Sequence, residues 1–324
     1  MPSGGKLCIT VYVFGTYSKY IPYYIYSILK SYPDYYVKIF VDTELSPPEK
    51  RCMELIRDNL SDNFSICENS FREYDFLDET YISGGGKKIL RWLLPEREFE
   101  GFDYIYIGDV DFLIMREEPS LLESHLNHCK KTQLPFSNKI RLLPNSNVRT
   151  DRLTGLHFII KRPYYEKVGP YISSYLEDRD SLLESLSGIN NDEQFLYHLV
   201  EQGFDLDKLL DHEDFRPHHG IHLGIARARG VTPSKTLKKL NEVAAAESIQ
   251  LDKAREFLYT CVEDSLFQQL LLILPEESIF NVCDALNVKM PSRKLKLRSS
   301  INAIRQMIWM LGLMIHKFVS RSTK

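Results

Sequence analysis

Two continuous apolar runs near the N-terminus constrain the fold more than any other feature. Residues 7–14 read LCITVYVF without a charged residue, and residues 36–42 read YVKIFVD, with Lys38 inside the run and Asp42 at its end; β-branched runs of this kind are typical of strands buried on both faces. Between them, Ile21, Ile25 and Ile28 recur at helical spacing. A strand, a helix and a second strand in this order predict the opening of a mostly parallel α/β sheet with flanking helices.

The pattern of predicted secondary structure changes after Gly230. Strand-like and helical segments alternate up to that residue, whereas residues 231–324 are rich in helix formers and show no convincing strand. At 324 residues the chain also exceeds the usual size of one domain. The sequence therefore predicts an α/β domain over residues 1–230 and an all-helical C-terminal region over residues 231–324.

Charge and cysteine content exclude several classes of protein. The chain has 41 Lys and Arg against 44 Asp and Glu, a net charge of −3, so it lacks the dense basic surface that nucleic acid binding needs. Its 6 cysteines are scattered with no CxxC pair, which favours reduced thiols. The sequence contains no apolar run of about 18 residues, the length that spans a bilayer. We expect a cytoplasmic protein that binds no nucleic acid.

The strongest strand signal carries two carboxylates. Residues 102–115 read FDYIYIGDVDFLIM, with Asp109 and Asp111 at positions i and i+2, so both side chains would project from one face of a regular strand. Carboxylates this close repel one another unless a cation lies beside them. Because the ligands are oxygens, the pattern favours Mg²⁺ or Mn²⁺ over zinc. The alternative is a pair of exposed aspartates in a turn after the strand.

This segment resembles the DxD segment of GT-A-fold, nucleotide-sugar-dependent glycosyltransferases. The histo-blood-group-type transferases are similar in their first strand and turn (VFGTYSKYIPYYIYSI), second strand (KIFVDT), the helix before the DxD strand (KKILRWLL), acceptor-side strand (TGLHFIIKR) and acidic helix (NNDEQFLYHLV). The family that includes glycogenin and the bacterial galactosyltransferases resembles the chain in its histidine motif (HHGIHLG). These segments occur in the matching order along the chain.

The resemblance implies a GT-A fold, which is Rossmann-like, and the transfer of a sugar from a nucleotide diphosphate sugar to a hydroxyl of a glycan or lipid-linked acceptor. UDP-sugar is the expected donor, because the first turn of these transferases holds uracil. Mn²⁺ or Mg²⁺ is the expected cofactor. Such a reaction fits surface polysaccharide synthesis.

Two other classes stay open. One is a non-catalytic nucleotide-sugar or glycan-binding domain at a membrane surface, and the other is a metal-dependent phosphohydrolase. In phosphatases with an aspartyl nucleophile, the DxD ends the first core strand, whereas here it follows at least two βα units. That position disfavours the phosphohydrolase.

The turn after the first strand is the expected site of the base. Phe14, Gly15 and Thr16 would present backbone groups to it, and Tyr20 is near enough in sequence to stack on it. A simple Phe-Gly turn is the plainer alternative.

Basic residues before the DxD segment are expected to bind the donor diphosphate. Lys88 and Arg91 are i and i+3 after three glycines, so they share a helix face near an N-terminus that attracts anions. A solvated basic helix face is the alternative. Asp109 and Val110 of the DxD segment are also expected to contact the donor.

The segment HHGIHLG offers candidate metal ligands. By analogy with the histidine motif of the family that includes glycogenin, the resemblance favours His222, followed by Leu223 and Gly224, with His219 second and His218 as a further imidazole; a solvated histidine turn is the alternative. Imidazole suits Mn²⁺, whereas Mg²⁺ prefers oxygen ligands. Arg227 and Arg229 follow and would neutralise a diphosphate, and ordinary surface charges are the alternative.

Asp192 and Glu193 open a predicted helix behind two asparagines, where an acidic residue is also expected simply to complement the helix dipole. The resemblance implies that Glu193 acts as nucleophile or charge stabiliser and that Asp192 takes part in binding. His157 in TGLHF would bind acceptor hydroxyls or the donor phosphate.

The C-terminal tail, residues 294–324, contains no acidic residue and carries an apolar centre, MIWMLGLMI, flanked by basic residues. A basic amphipathic helix of this kind is typical of segments that lie on an anionic bilayer. We therefore expect peripheral attachment to the inner face of the membrane, and a tail packed on the body of the protein is the alternative.

Overall fold

The computed structural model describes residues 5–79, 85–143, 146, 148–212, 215–216, 219–227, 232–247, 250–291 and 295. The strands are β1 (Leu7–Val13), β2 (Tyr36–Val41), β3 (Phe64–Cys67), β4 (Tyr104–Ile107), β5 (Phe112–Ile114), β6 (Phe136–Ser137), β7 (Ile140–Leu142), β8 (Arg149–Leu153), β9 (His157–Ile160) and β10 (Gly220–His222).

The α-helices are α1 (Ile21–Ser31), α2 (Pro47–Asn59), α3 (Leu121–Thr132), α4 (Lys161–Glu177), α5 (Arg179–Ser185), α6 (Asp192–Glu201), α7 (Pro233–Glu247), α8 (Leu251–Glu263), α9 (Ser265–Ile273) and α10 (Glu277–Ala285). Short 3-10 helices cover Gly15–Tyr20, Arg72–Glu79, Gly86–Trp92, Glu96–Phe99, Leu206–His212 and Leu223–Ala226.

The central sheet has six strands in the order β3-β2-β1-β4-β9-β6. The first four run parallel, whereas β9 is antiparallel to β4 and β6 is antiparallel to β9. The mostly parallel α/β sheet predicted from the apolar runs is therefore confirmed.

Both faces of this sheet are covered, which explains why its central strands are mostly apolar on both sides. In β1, Ile9 and Val11 pack into a core that also holds α1 and α2. Cys8 and Tyr12 point the other way, into a second core with α4 and α6.

The C-terminal helices share the first of these cores. Leu258 of α8, Phe267 of α9 and Ile279 of α10 are buried there, and the ring of Phe267 lies 5.6 Å from that of Tyr23 on α1. The predicted helical character of this region is confirmed, and its boundary near residue 230 stays a prediction.

The segment that we predicted as one strand over residues 102–115 is two strands in two sheets. β4 ends at Ile107, the chain turns through Gly108–Asp111, and β5 pairs with β10 in a separate ribbon. At Gly108 the chain passes directly over the hydroxyl of Tyr24, and a Cβ there would overlap that oxygen. The two aspartates therefore lie in a turn at the carboxyl end of β4.

Three further segments differ from the sequence prediction. Residues 132–151 are polar with two prolines and predict a long loop, whereas they contain β6 and the antiparallel hairpin of β7 and β8, formed by pairing with distant segments. The segment KKILRWLL forms a 3-10 helix. The sequence also predicts one helix from about Pro163 to Leu186, but this helix is broken at Asp178, whose side chain caps α5 by accepting the N–H of Asp180.

Among the described residues, no helix combines the length and the apolar character needed to cross a bilayer. The predicted amphipathic tail, apart from Leu295, lies outside the described residues.

Candidate functional site

A pocket of about 270 Å³ opens at the carboxyl ends of β1 and β4. Its lining joins residues that are far apart in the sequence: Val11, Tyr12, Val13, Phe14, Tyr17, Lys88, Arg91, Asp109, Val110, Asp111, Arg141, Asp192, Glu193, His222 and Arg227. Open α/β sheets bind ligands at this edge, so the pocket is the candidate active site.

Asp111 forms the centre of a compact polar group. Its Oδ2 lies 3.3 Å from His222 Nε2 and 3.2 Å from Arg227 Nη1. Burial opposes ionisation of Asp111, but the hydrogen bond and charge of His222, together with Arg227, hold the pKa of this carboxyl below its usual range. The same contact with Asp111 raises the pKa of His222 against the opposing effect of its burial.

The ribbon of β5 and β10 brings His222 to Asp111. His222 pairs with Phe112 across the ribbon, and their rings stack at 4.6 Å. The next residue, Leu223, donates its N–H to the Asp111 carbonyl at 2.7 Å. Gly224 leaves room for this contact. A Cβ at residue 224 would lie only 2.5 Å from His222 Nε2 and 2.7 Å from Asp111 Oδ2.

Aromatic rings form one end of the pocket. Phe14 follows β1 and stacks near Tyr12 at 6.0 Å between ring centroids, and Tyr17 lies 6.2 Å from Phe14. The guanidinium of Arg227 covers the ring of Tyr17 at 4.9 Å. Tyr17 was not among the predicted residues, and only its nearness to Phe14 in the sequence would have suggested it.

Arg91 links two carboxylates in the middle of the pocket. It is buried and forms ion pairs with Asp109 and Asp192. Burial raises the pKa of Asp109, whereas Arg91 overcomes the effect of burial at Asp192 and lowers its pKa. Lys88 also lines the pocket, since residues i and i+3 stand on the same side of a 3-10 helix.

Two arginines hold Glu193 at the other end of the pocket. Arg141 Nη2 lies 2.6 Å from its Oε1, and Arg152 Nη2 lies 2.5 Å from its Oε2. Asn191 caps α6 by accepting the N–H of Gln194, so neither acidic residue is needed as the cap. Neither arginine was predicted to belong to the site, because the polar residues 132–151 indicate a loop and not this hairpin.

Gly155 is a further residue that the sequence analysis missed. A Cβ at this position would lie 2.9 Å from Arg91 Nη2, 3.5 Å from Asp109 Oδ2 and 3.6 Å from Glu193 Oε1. The absence of a side chain therefore allows these three groups to meet. The sequence offered only its place before the predicted strand that contains His157.

The structure does not bring every predicted residue to the pocket. Tyr20 is buried in the first core, and Gly15 and Thr16 lie in the 3-10 helix that leads to it without lining the pocket. His157 is buried, contacts Asn138 Nδ2 through Nδ1 at 3.0 Å and is surrounded by aromatic rings.

His219 lies in a separate polar cluster. Its Nδ1 is 2.8 Å from Glu117 Oε2 and its Nε2 is 3.2 Å from His125 Nε2, beside a second cavity of about 390 Å³. It therefore does not share a site with Asp111. His218 and Arg229 lie outside the described residues.

The donor atoms around Asp111 suit a divalent ion only in part. In the portion of the chain that the structure describes, no three His, Cys, Asp or Glu side chains are arranged to hold a metal. Asp111 and His222 nevertheless supply one carboxylate and one imidazole 3.3 Å apart, a pair that fits Mn²⁺ when a ligand brings further oxygens.

No protein-family model matches the chain, and no curated protein matches it. Among solved structures, it is similar to the apo form of the glycosyltransferase GlyE of Streptococcus pneumoniae (12% identity, TM-score 0.39, 62% of this chain and 44% of GlyE). It is also similar to the galactosyltransferase LgtC in complex with donor and acceptor sugar analogs (12%, 0.38, 60% and 70%) and to S. aureus TarS in complex with UDP (11%, 0.33, 87% and 88%).

The solved structures that resemble this chain are glycosyltransferases, and the chain covers 44% of the GlyE apo structure.

Proposed function

We propose that the chain is a metal-dependent glycosyltransferase. It would move a sugar from a UDP-sugar to a hydroxyl of a glycan or lipid-linked acceptor, in the synthesis of a surface polysaccharide. One observation carries this proposal: a single pocket joins aromatic rings, the Asp111–His222 pair, basic side chains and two further acidic residues.

The aromatic end of the pocket suits a base. Phe14 and Tyr17 offer ring faces, and stacking of a base on an aromatic side chain contributes about 1–3 kcal/mol. Arg227 lies between Tyr17 and Asp111, which places its guanidinium where a diphosphate attached to the stacked nucleoside would run. Lys88 adds a second cation, and guanidinium and ammonium groups both bind phosphate oxygens.

Asp111 and His222 would hold Mn²⁺, with Asp109 nearby in the same turn. The low pKa of Asp111 keeps its carboxylate ionised, as a metal ligand must be. When bound, the ion would neutralise charge on the leaving diphosphate.

The acidic residues on α6 would act on the sugar and the acceptor. Asp192 is held by Arg91, in a position to accept hydrogen bonds from sugar hydroxyls. Each oxygen of Glu193 accepts a hydrogen bond from an arginine, which favours charge stabilisation at the anomeric carbon over nucleophilic attack. The acceptor oxygen would bond to the anomeric carbon as the bond to the diphosphate breaks, with the hydroxyl proton released to the leaving diphosphate.

Thermal unfolding with nucleotides tests this proposal. UDP and a panel of UDP-sugars are each added with Mn²⁺, with Mg²⁺ or with EDTA, and ADP and GDP serve as controls. A ligand at 100 times its Kd stabilises the native state by about 2.7 kcal/mol, which corresponds to a rise in Tm on the order of 5 °C. We expect this rise for UDP with Mn²⁺ and a much smaller one with EDTA.

Asp111→Asn separates the alternative classes. In a transferase it abolishes release of UDP from the UDP-sugar, because the variant loses a charged ligand. A non-catalytic binding domain would show no UDP release even in the wild type. A phosphohydrolase would release phosphate from simple esters without any sugar nucleotide.

A further inference from the structure

The hairpin of β7 and β8 carries two arginines that share one carboxylate. Arg141 and Arg152 each donate a single Nη2 hydrogen bond to a different oxygen of Glu193. Their side chains keep 38% and 40% of their surface exposed, whereas Glu193 keeps 12%. The carboxylate is covered and the two guanidiniums still reach the solvent.

This end of the pocket has more positive than negative charge. Elsewhere in the pocket, Arg91 faces the two carboxylates Asp109 and Asp192, and Arg227 faces Asp111. At the hairpin two guanidiniums face one carboxylate. The hairpin is therefore locally cationic, although it adjoins the Arg91 group, where two carboxylates face one guanidinium.

Each arginine also has hydrogen-bond donors to spare. A guanidinium carries five N–H donors in a planar fork that matches phosphate and carboxylate oxygens. Among the described residues, the Nε–H groups of Arg141 and Arg152 are buried without an acceptor, so a ligand would bind the Nη–H groups, which belong to side chains that are 38% and 40% exposed. Binding Glu193 alone does not require two arginines, since a single fork can hold a carboxylate bidentately.

The hairpin arginines lie apart from the groups assigned to the base and the diphosphate. One set of contacts runs from Tyr17 through Arg227 to Asp111, and a second runs from Asp109 through Arg91 to Asp192. The two arginines belong to neither set and contact Glu193, which lies beside Arg91 and Asp109 at Gly155. A donor bound through its base and diphosphate would occupy the first set, which leaves the hairpin for the acceptor.

We propose that the acceptor carries an anionic group, a phosphate or a carboxylate, near the hydroxyl that is glycosylated, and that Arg141 and Arg152 bind this group. That the bound anion belongs to an acceptor rests on the proposed transferase function. The anion site itself depends only on the hairpin.

Ligand-observed NMR titrations test the inference on the full chain at constant ionic strength. The probes are glycerol 3-phosphate against glycerol, and glucuronate against glucose. Each titration is run with the protein saturated with UDP and Mn²⁺, which fills the diphosphate-binding part of the pocket, and again without nucleotide. The two charged probes show whether the site prefers phosphate or carboxylate.

We expect at least one charged probe to bind about tenfold more tightly than its neutral analogue, since a charge-assisted bidentate contact contributes on the order of 1.4 kcal/mol or more. Arg141→Gln/Arg152→Gln removes this preference. Because that variant leaves Glu193 without partners, Arg141→Lys/Arg152→Lys is measured too, and it keeps the charge but weakens the preference by losing the fork. Arg149→Gln, at an exposed position on the same hairpin, leaves the preference for the charged probe intact.

Charged probes that bind no better than neutral ones, or a preference that survives in both double variants, overturn the inference. Failure of UDP to bind, with the anion preference intact, overturns the proposed transferase function and leaves the anion site standing.

Discussion

At the scale of single residues, two aspartates of one turn have opposite electrostatic environments. Asp111 is in direct contact with both His222 and Arg227, so its pKa falls despite burial. Burial raises the pKa of Asp109, whose cation, Arg91, is shared with Asp192. The two carboxylates are therefore not equivalent, and Asp111 is the better prepared to ligate a cation.

His222→Ala and His219→Ala form a matched pair of histidine variants. We expect His222→Ala to weaken Mn²⁺-dependent UDP binding about tenfold, the lower range for disturbing a metal site. His219→Ala leaves that binding unchanged, because its ring contacts Glu117 and His125 instead of Asp111. Calorimetric titration of UDP at several Mn²⁺ concentrations measures the binding by both variants. An equal effect of the two substitutions would contradict the assignment of His222 to the metal site.

At the scale of elements, the β5–β10 ribbon connects the candidate site to the rest of the fold. Gly220 begins β10 with φ at +143°, and a Cβ there would overlap the carbonyl oxygen of Leu113 on β5. Close approach of the two strands therefore requires glycine at this position. The same pairing sets His222 opposite Phe112.

Gly220→Ala tests how far the site depends on this ribbon. We expect a loss of unfolding free energy on the order of 3 kcal/mol, from backbone strain and overlap together, and weaker binding of UDP with Mn²⁺. Gly188→Ala is the control, because Gly188 also has a positive φ, +79°, but open space around it. That variant costs about 1 kcal/mol without changing UDP binding. Urea unfolding and UDP titration supply the two measurements, and equal losses in both variants would show that overlap with β5 is unimportant.

At the scale of the whole molecule, helices on both faces of the sheet bury groups that titrate when exposed. Burial lowers the pKa of His157 to about 3, whereas a histidine in an unfolded chain has a pKa near 6.5. Above about pH 6.5 both states are neutral at this residue. As pH falls below that value, the unfolded state takes up a proton that the native state excludes, so stability declines.

His157→Phe removes this contribution to acid sensitivity. Between pH 7 and pH 5 we expect the variant to lose about 2 kcal/mol less unfolding free energy than the wild type. The lost contact to Asn138 lowers stability equally at both pH values and does not affect the difference. His198→Gln, at a partly exposed position, keeps the wild-type difference, and urea unfolding at the two pH values provides the comparison. If His157→Phe loses as much unfolding free energy between pH 7 and pH 5 as the wild type does, this histidine is not kept neutral in the native state.

The tail outside the described residues leads to a prediction about attachment. Each basic residue near an anionic surface contributes about 1 kcal/mol, and an apolar centre with Trp309 suits the interface. Deleting residues 299–324 is expected to abolish co-sedimentation with anionic vesicles while UDP binding persists, because every pocket residue precedes residue 230. Vesicle binding that survives the deletion would instead point to a tail packed on the protein.

The sequence by itself determined the parallel sheet and the edge at which the site lies. Continuous apolar strands, helical periodicity and an aspartate pair at a strand end are local patterns, and each reflects burial within a few residues. The acidic helix was predicted for the same reason, since its start at Asp192 depends on neighbouring residues.

Only the tertiary structure decided which side chains meet. Arg141 and Glu193 are 52 residues apart, and Arg227 and Asp111 are 116 apart. Tyr17 faces the pocket while Tyr20 is buried, and His222 joins Asp111 while His219 does not. Contacts over such separations depend on strand register and on which face each turn presents. Both follow from the packing of the whole chain, because a shift of one residue would point the same side chain in the opposite direction.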